Sequence, residues 1–269
     1  MKTLIVIPAR YASTRLPAKP LVKIAGREMV LRVYDIAKQA MKDLPDSAAV
    51  VATDHSDIFD FCKKNDVDVV MTSEACKTGT DRVSEAVQQM KEKPEFVVNL
   101  QGDNPTCPPW FVRQVAEEYY KDSSVQMVTP CVNLTWEELD RMREAKKKNP
   151  FSGTFVVMDK NDNALWFSKN ILPAIQKEEK RREELKVPPV WRHVGLYGYR
   201  TDVLGQFLKL PQGYYEQFEN LEQLRFLENG FKVRMVKVDY KGRPAMNGVD
   251  SPDDRDRAEK LLMEYGEFK

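Results

Sequence analysis

The apolar positions of this chain fall into short continuous runs separated by amphipathic stretches. Residues 3–7 form the first run, and 48–52, 67–71 and 96–100 repeat it. Runs of this length with no polar alternation suit strands buried on both faces. Between them, Met29, Val33, Ile36 and Ala40 recur at helical spacing. So do Val83, Ala86, Val87 and Met90, and later Val112, Val115 and Tyr119. Residues 56–64 read as a shorter helix. The alternation predicts βαβ units, hence an α/β fold with a mostly parallel sheet flanked by helices. Ligands of such sheets bind beyond the carboxyl ends of the strands. The loops after Ile7, Ala52 and Leu100 therefore share one expected functional edge.

The pattern changes near residue 130. "TWEELDRMREAKKK" predicts a charged helix, and "GTFVVMDKNDNALWFSK" two strands joined by a turn at 160–163. "QKEEKRREELK" reads as a solvated helix or exposed excursion, ended by Pro188-Pro189. Residues 191–200 read as one strand and 217–229 as one helix with Leu221, Leu224 and Leu227 facing the core. Residues 232–238 read as a last strand. Ser251 is the expected N-cap of a final helix, with Pro252 at its first position and Asp254 closing a capping box. The expectation is a single α/β domain over 1–269, with a smaller, partly antiparallel lobe embedded at 131–190.

Charge narrows the function. Lys+Arg 42 against Asp+Glu 41 leaves a formal charge of +1, which disfavours a whole-surface footprint for nucleic acid or acidic membrane. Any cationic chemistry is then local. The four cysteines lack C-x-x-C spacing and there are two histidines, so a structural zinc site is not expected. The cysteine usage, and the lack of a leader-like or membrane-length apolar run, predict a cytoplasmic protein.

Against that balance, "IPARYASTRLPAKP" (7–20) holds Arg10, Arg15 and Lys19 with no acid among them. It follows the first strand, and Pro8, Pro17 and Pro20 stiffen it. Two readings compete, a solvated loop and a cradle for phosphate oxygens, to which Arg offers a planar fork and Lys a compact charge. No Gly-rich phosphate or dinucleotide fingerprint is present. In "VVNLQGDNP" (97–105), Asp103 follows a strand and a Gly, which suits either a turn or a metal ligand. Asp250 is a second carboxylate, or simply a favourable charge at a helix start. Two carboxylates beside a basic loop would suit Mg²⁺ with a polyphosphate. In "TGTDR" (78–82), Thr78, Gly79 and Thr80 read equally as helix capping. Arg82 opposes the helix dipole there and must gain a partner elsewhere. In "WRHVGLYGYR", alternation puts His193, Gly195, Tyr197 and Tyr199 on one face. Glu222 and Gln223 flank an apolar stripe.

Taken in order, the blocks "IPARYASTRLPAKPL", "VATDHSDI", "TGTDRVSEA", "VNLQGDNP", "ALWFSKNILP", "RHVGLYGYR", "LEQLRFLENGFKV" and "GVDSPDDRDRAE" resemble the 3-deoxy-manno-octulosonate (KDO) cytidylyltransferases over nearly the whole chain. The resemblance implies a Mg²⁺-dependent enzyme. It transfers CMP from CTP to the anomeric hydroxyl of a 2-keto-3-deoxy sugar acid, releasing pyrophosphate, for lipopolysaccharide-type glycan assembly. It assigns Arg10, Arg15 and Lys19 to the triphosphate, and Thr78, Gly79 and Arg82 to the nucleotide pocket. Asp103 and Asp250 become Mg²⁺ ligands. Gln101, His193, Tyr197, Glu222 and Gln223 become the sugar site. It further implies a homodimer joined largely through the smaller lobe. No residue is expected to act as a covalent nucleophile, so displacement at phosphorus should be direct.

This chain departs from the family pattern at Ala18, Thr78 and Asn104, where Gly, Ser and Glu are usual. The excursion at 177–187 and the link from Val233 to Val249 also look longer than in many relatives. The same chemistry on 8-amino-KDO or a nine-carbon acid is one alternative. A non-catalytic nucleotide-sugar-binding protein is another, and loss of Asp103, Asp250 or the cations would have favoured it.

Overall fold

The protein is described from a computed structural model that places residues 1–12 and 15–268. Ser13 and Thr14 of the basic loop lie outside the described residues.

The chain begins with β1 (Thr3–Ala9), a hairpin β2 (Lys23–Ile24) and β3 (Arg27–Glu28), and α1 (Met29–Met41). Next come β4 (Ser47–Thr53), α2 (Ser56–Lys64), β5 (Val69–Met71), α3 (Gly79–Gln89), β6 (Phe96–Asn99) and α4 (Pro109–Lys121). The later part holds β7 (Met127–Asn133), α5 (Trp136–Lys148), β8 (Phe155–Met158), β9 (Ala164–Ser168) and α6 (Glu178–Glu184). It closes with β10 (Trp191–His193), β11 (Tyr197–Arg200), α7 (Thr201–Phe207), α8 (Tyr214–Glu219), α9 (Gln223–Glu228), β12 (Val233–Lys237) and α10 (Pro252–Tyr265).

β1 runs parallel to β4 on one side and β6 on the other, and β5 extends the parallel half beyond β4. Ile5 and Ile7 point to one face and pack with Val33 and Ile36 of α1 and Phe111 and Val115 of α4. Leu4 and Val6 point to the other and pack with Val83, Ala86 and Val87 of α3 and Leu224 of α9. Burial on both faces explains the continuous apolar runs. Each fully buried Ile or Phe contributes about 1.5–3 kcal/mol.

Beyond β6 the sheet turns mixed. β11 is antiparallel to β6 and β7, while β12 lies parallel to β7. β10, β8 and β9 continue as an antiparallel arm with β9 at the edge. Residues 131–190 thus join the main sheet, yet they also enclose a small core of Leu134, Leu139, Phe155 and Val190.

Two expected elements prove to be interrupted. The single strand at 191–200 is two strands, because the backbone between them turns aside to satisfy a buried hydroxyl. Thr129 Oγ1 donates to the carbonyl of Leu196 at 2.8 Å, and Leu196 N–H bonds to Val194 O at 2.8 Å. The helix at 217–229 is broken at Asn220, whose φ of 51° is left-handed. Asn accepts that conformation more readily than most residues. The break separates α8 from α9 and leaves Glu222 at the start of α9, facing a cavity.

Candidate active site

The basic loop leaves β1 at the expected edge and is pinned from below by Asp54, just past β4. Tyr11 N–H donates to Asp54 Oδ1 at 3.1 Å. The Tyr11 ring stacks on His55 with centroids 3.6 Å apart. Asp54 Oδ2 accepts from Arg82 Nη2 at 2.6 Å, and Arg82 Nη1 donates to Thr72 Oγ1 at 2.5 Å. The partner that Arg82 needs against the helix dipole is therefore Asp54. Its guanidinium is buried and committed, so it shapes the pocket floor and is not a free cation. Thr78 caps α3 by accepting from Asp81 N, and Asp81 answers with a bond from Thr78 N. Both the capping and the pocket-lining readings of Thr78 hold, since Thr78 and Gly79 also line the cavity above.

The next turn packs directly on this loop. A Cβ on Gly102 would sit 2.3 Å from the Pro8 carbonyl oxygen, so only glycine permits the approach. The approach brings Asp103 Oδ2 to 2.9 Å from Lys19 Nζ. Val249 N–H bonds to Asp103 O at 2.8 Å, which delivers Asp250 to the same place. Asp250 Oδ1 lies 2.9 Å from Lys19 Nζ, and its Oδ2 lies 3.4 Å from Arg15 Nη2. Burial alone would lower the Lys19 pKa, but Asp103 and Asp250 outweigh it and raise it. Lys19 therefore stays charged.

Pro252 opens α10 as expected, and Ser251 caps it, Oγ accepting from Asp254 N. The Asp254 carboxylate in turn accepts from Ser251 Oγ at 2.7 Å, from Asp250 N at 3.2 Å and from the backbone of Ser251. The cap holds the backbone of Asp250 itself.

Two cavities adjoin along this line. One, about 420 Å³, is lined by Arg10, Arg15, Lys19, Lys77, Thr78 and Arg82. The other, about 610 Å³, holds Lys169, Arg192, His193, Tyr197, Glu222 and Gln223. Gly79, Gln101, Asp103 and Asp250 line both. All the residues expected at the site thus fall on one or both cavities.

The second cavity has defined protonation. Assigning the Thr129 Oγ1 proton to Leu196 O makes His193 Nε2–H the donor in the 2.7 Å bond to Thr129 Oγ1, the tautomer that satisfies all three atoms. Nδ1 is left as an acceptor. Burial, with Lys169 nearby, pushes the His193 pKa down to about 3, so the ring is neutral. Burial raises the Glu222 pKa, while Thr80 Oγ1 tempers the rise by donating to Glu222 Oε2 at 2.8 Å. Gln101 Nε2 is oriented by Asn99 Oδ1 at 2.9 Å.

Sequence reasoning missed Lys77, Lys169, Arg192 and Tyr240. Lys77 precedes the capping Thr78 and was readable as part of the basic edge. Lys169 sits one residue past β9, within "ALWFSKNILP". Arg192 was hidden because alternation assigned it to the face opposite His193. Lys169 and Arg192 have no salt-bridge partner among the described residues, and Lys169 Nζ donates to Thr154 Oγ1 at 3.2 Å. Unpaired cations in a polar cavity suit an anionic ligand.

A mixed α/β sheet with a cationic pocket at the carboxyl edge of its parallel half, and a second polar pocket beside it, suits a protein that brings a phosphorylated ligand against a polar partner. The family described as "Cytidylyltransferase" matches residues 4–237. The chain is 43% identical over 268 residues to a 3-deoxy-manno-octulosonate cytidylyltransferase of Maricaulis maris, covering 100% of both. It is 39% identical to that of Bacteroides thetaiotaomicron, covering 97% of this chain and 98% of the other. A solved structure of CMP:2-keto-3-deoxy-manno-octonic acid synthetase complexed with CTP superposes with a TM-score of 0.83 at 32% identity, over 98% of this chain and 100% of that one. A cytidylyltransferase from Leptospira borgpetersenii, 15% identical with a TM-score of 0.62, shares the fold. The chain belongs to the cytidylyltransferases and, within them, to the 3-deoxy-manno-octulosonate cytidylyltransferase family.

Proposed function

We propose that the protein transfers CMP from CTP to the anomeric hydroxyl of 3-deoxy-manno-octulosonate, giving CMP-KDO and pyrophosphate. The observation that carries this reading is the pair of adjoining cavities, one strongly cationic and one polar, that meet at Asp103 and Asp250. Arg10, Arg15 and Lys19 hold the triphosphate, and Thr78 and Gly79 border the nucleoside. Lys77 adds a further charge. Gln101, His193, Tyr197, Glu222 and Gln223 receive the sugar hydroxyls, with Lys169 and Arg192 countering the sugar carboxylate.

The anomeric oxygen attacks the α-phosphorus, the bridging P–O bond breaks, and pyrophosphate departs with the bonding pair. The hydroxyl proton passes to solvent. Negative charge grows on the leaving oxygens, where fixed cations stabilise it most. Lys19, held charged by two carboxylates, is placed to do this throughout.

The residues present fit Mg²⁺. Asp103 and Asp250 already converge on one cation, the Lys19 ammonium, and offer hard oxygen donors. No group of three or more His, Cys, Asp or Glu among the described residues is arranged to hold a metal ion. Two carboxylates would therefore share the ion with phosphate oxygens and water. When bound it would neutralise charge on the phosphates. Asp103→Asn is expected to cut turnover by about 100-fold or more at any Mg²⁺ concentration; near-normal turnover in that variant removes the assignment.

We also assign a self-association face. Edge strand β9 exposes Leu165 (61%), and neighbouring α8 exposes Tyr214 (65%) and Phe218 (71%). Trp166 meets Tyr215 with centroids at 5.2 Å, which docks α8 on β9, and Tyr214 meets both Tyr215 and Phe218 at 5.1 Å. A patch of this kind beside a sheet edge suits a second copy of the chain. It reaches beyond the 131–190 lobe onto α8.

The test of function is pyrophosphate release with CTP and Mg²⁺, comparing KDO, 8-amino-KDO and a sialic acid. Release with KDO supports the assignment. Release with another acid alone retains the fold and phosphate roles and changes the acceptor. Folded protein that binds CTP but releases nothing favours a binding protein.

A further inference from the structure

The wall of the second cavity formed by residues 239–249 has no regular secondary structure. It supplies Tyr240, Met246, Asn247 and Gly248 to the lining and ends at Asp250. Its two ends are fixed by backbone bonds, Val238 N to Cys131 O and Val249 N to Asp103 O. Trp110 Nε1 also donates to Asp239 O at 2.9 Å. The middle is held differently. Arg243 Nη2 donates to Tyr265 O at 2.7 Å and Nη1 to Gly266 O at 3.0 Å, so one guanidinium caps the carbonyl end of α10. The same guanidinium lies 4.5 Å from the Phe268 ring centroid.

The tail that receives Arg243 is itself fastened to the body. Phe268 packs edge-on against Trp110 with centroids 5.5 Å apart. Its carbonyl accepts from Gln39 Nε2 at 2.6 Å. Glu267 pairs with the buried Arg32 at 2.8 Å. A path of direct contacts therefore runs from α1 and α4, through residues 265–268, to Arg243 and the cavity wall.

We propose that Arg243 is a positioning residue for the sugar-acid side of the site, with the C-terminal tail as its anchor. It touches neither cavity, and it acts by fixing the middle of the 239–249 segment. The kinetic consequence rests on the reading of the second cavity as the sugar site; the anchoring does not. Loose walls raise the ordering cost of binding, which falls on the ligand they enclose.

Arg243→Met keeps the aliphatic stem and removes both donors. Hydrogen exchange of amides in 240–248 is expected to quicken by about tenfold in this variant, because a local opening has lost two bonds. KM for the sugar acid should rise about fivefold while kcat and CTP affinity stay within about twofold, a loss of ground-state binding alone. Phe268→Ala should act in the same direction, and the double variant should be no worse than the stronger single, since both break one path. Unchanged exchange in Arg243→Met overturns the proposal. So does faster exchange with an unchanged sugar KM, provided Glu222→Gln raises that KM and so verifies the cavity. If Glu222→Gln also leaves it unchanged, the sugar-site reading fails, and exchange alone decides the anchor.

Discussion

Ala18 carries a cost that its sequence position explains. It adopts φ 50° and ψ 36°, the left-handed region, immediately before the short turn that presents Lys19. A Cβ is disfavoured there, and the family's usual glycine is not. Ala18→Gly is expected to raise unfolding free energy by about 0.5–1 kcal/mol, after the entropy of the unfolded chain is counted. Urea denaturation measures it; a loss of stability would contradict the strain. His193 gives a pH signature. Its folded pKa lies near 3, below the ordinary 6.5, so the unfolded chain binds the extra proton. The stability it allows is complete above pH 6.5 and declines as pH falls toward 3, by about 1.4 kcal/mol per unit. His193→Gln should flatten that slope between pH 6.5 and 5, read from denaturation midpoints.

At the scale of elements, the parallel half was legible because strands buried on both faces leave uninterrupted apolar runs. Residues 3–7 and 96–100 therefore gave β1 and β6 nearly intact. The breaks at 194–196 and 220 were not legible. One depends on the Thr129 hydroxyl of β7, 67 residues before the Leu196 carbonyl it bonds, and the other on a single left-handed residue. Many of the residues that line the two cavities were legible, while Lys77, Lys169, Arg192 and Tyr240 were not, nor were the pairings. Nothing in "TGTDR" names Asp54 as the partner of Arg82, or in "RLPAKP" the joint hold of Asp103 and Asp250 on Lys19. Asp54 links β4, α3 and the basic loop, so its loss should spread. Asp54→Ala leaves the buried Arg82 charge unpaired and is expected to cost about 3 kcal/mol of stability. CTP affinity, measured by calorimetry, should fall with it. Affinity equal to wild type would detach the loop from this anchor.

For the whole molecule, the exposed Leu165, Tyr214 and Phe218 set the prediction. Phe218→Asp is expected to shift the sedimenting mass from dimer to monomer at micromolar concentration, since a charge would be desolvated in the interface. A monomeric wild type would remove the assigned face. The variant lies outside both cavities, so residual turnover reports whether pairing matters to the chemistry. Among the described residues no helix is long and apolar enough to cross a membrane.

The seam between the two cavities has a consequence for how such a protein changes over generations. Arg10, Arg15 and Lys19 hang from the parallel half, while Lys169, Arg192 and His193 hang from the antiparallel arm. Few residues belong to both walls. On the proposed roles, substitutions in the arm would retune which acid is accepted and leave the proposed phosphate cradle of the parallel half untouched. If those roles hold, diversity of acceptor with a fixed donor is the pattern that such a division favours.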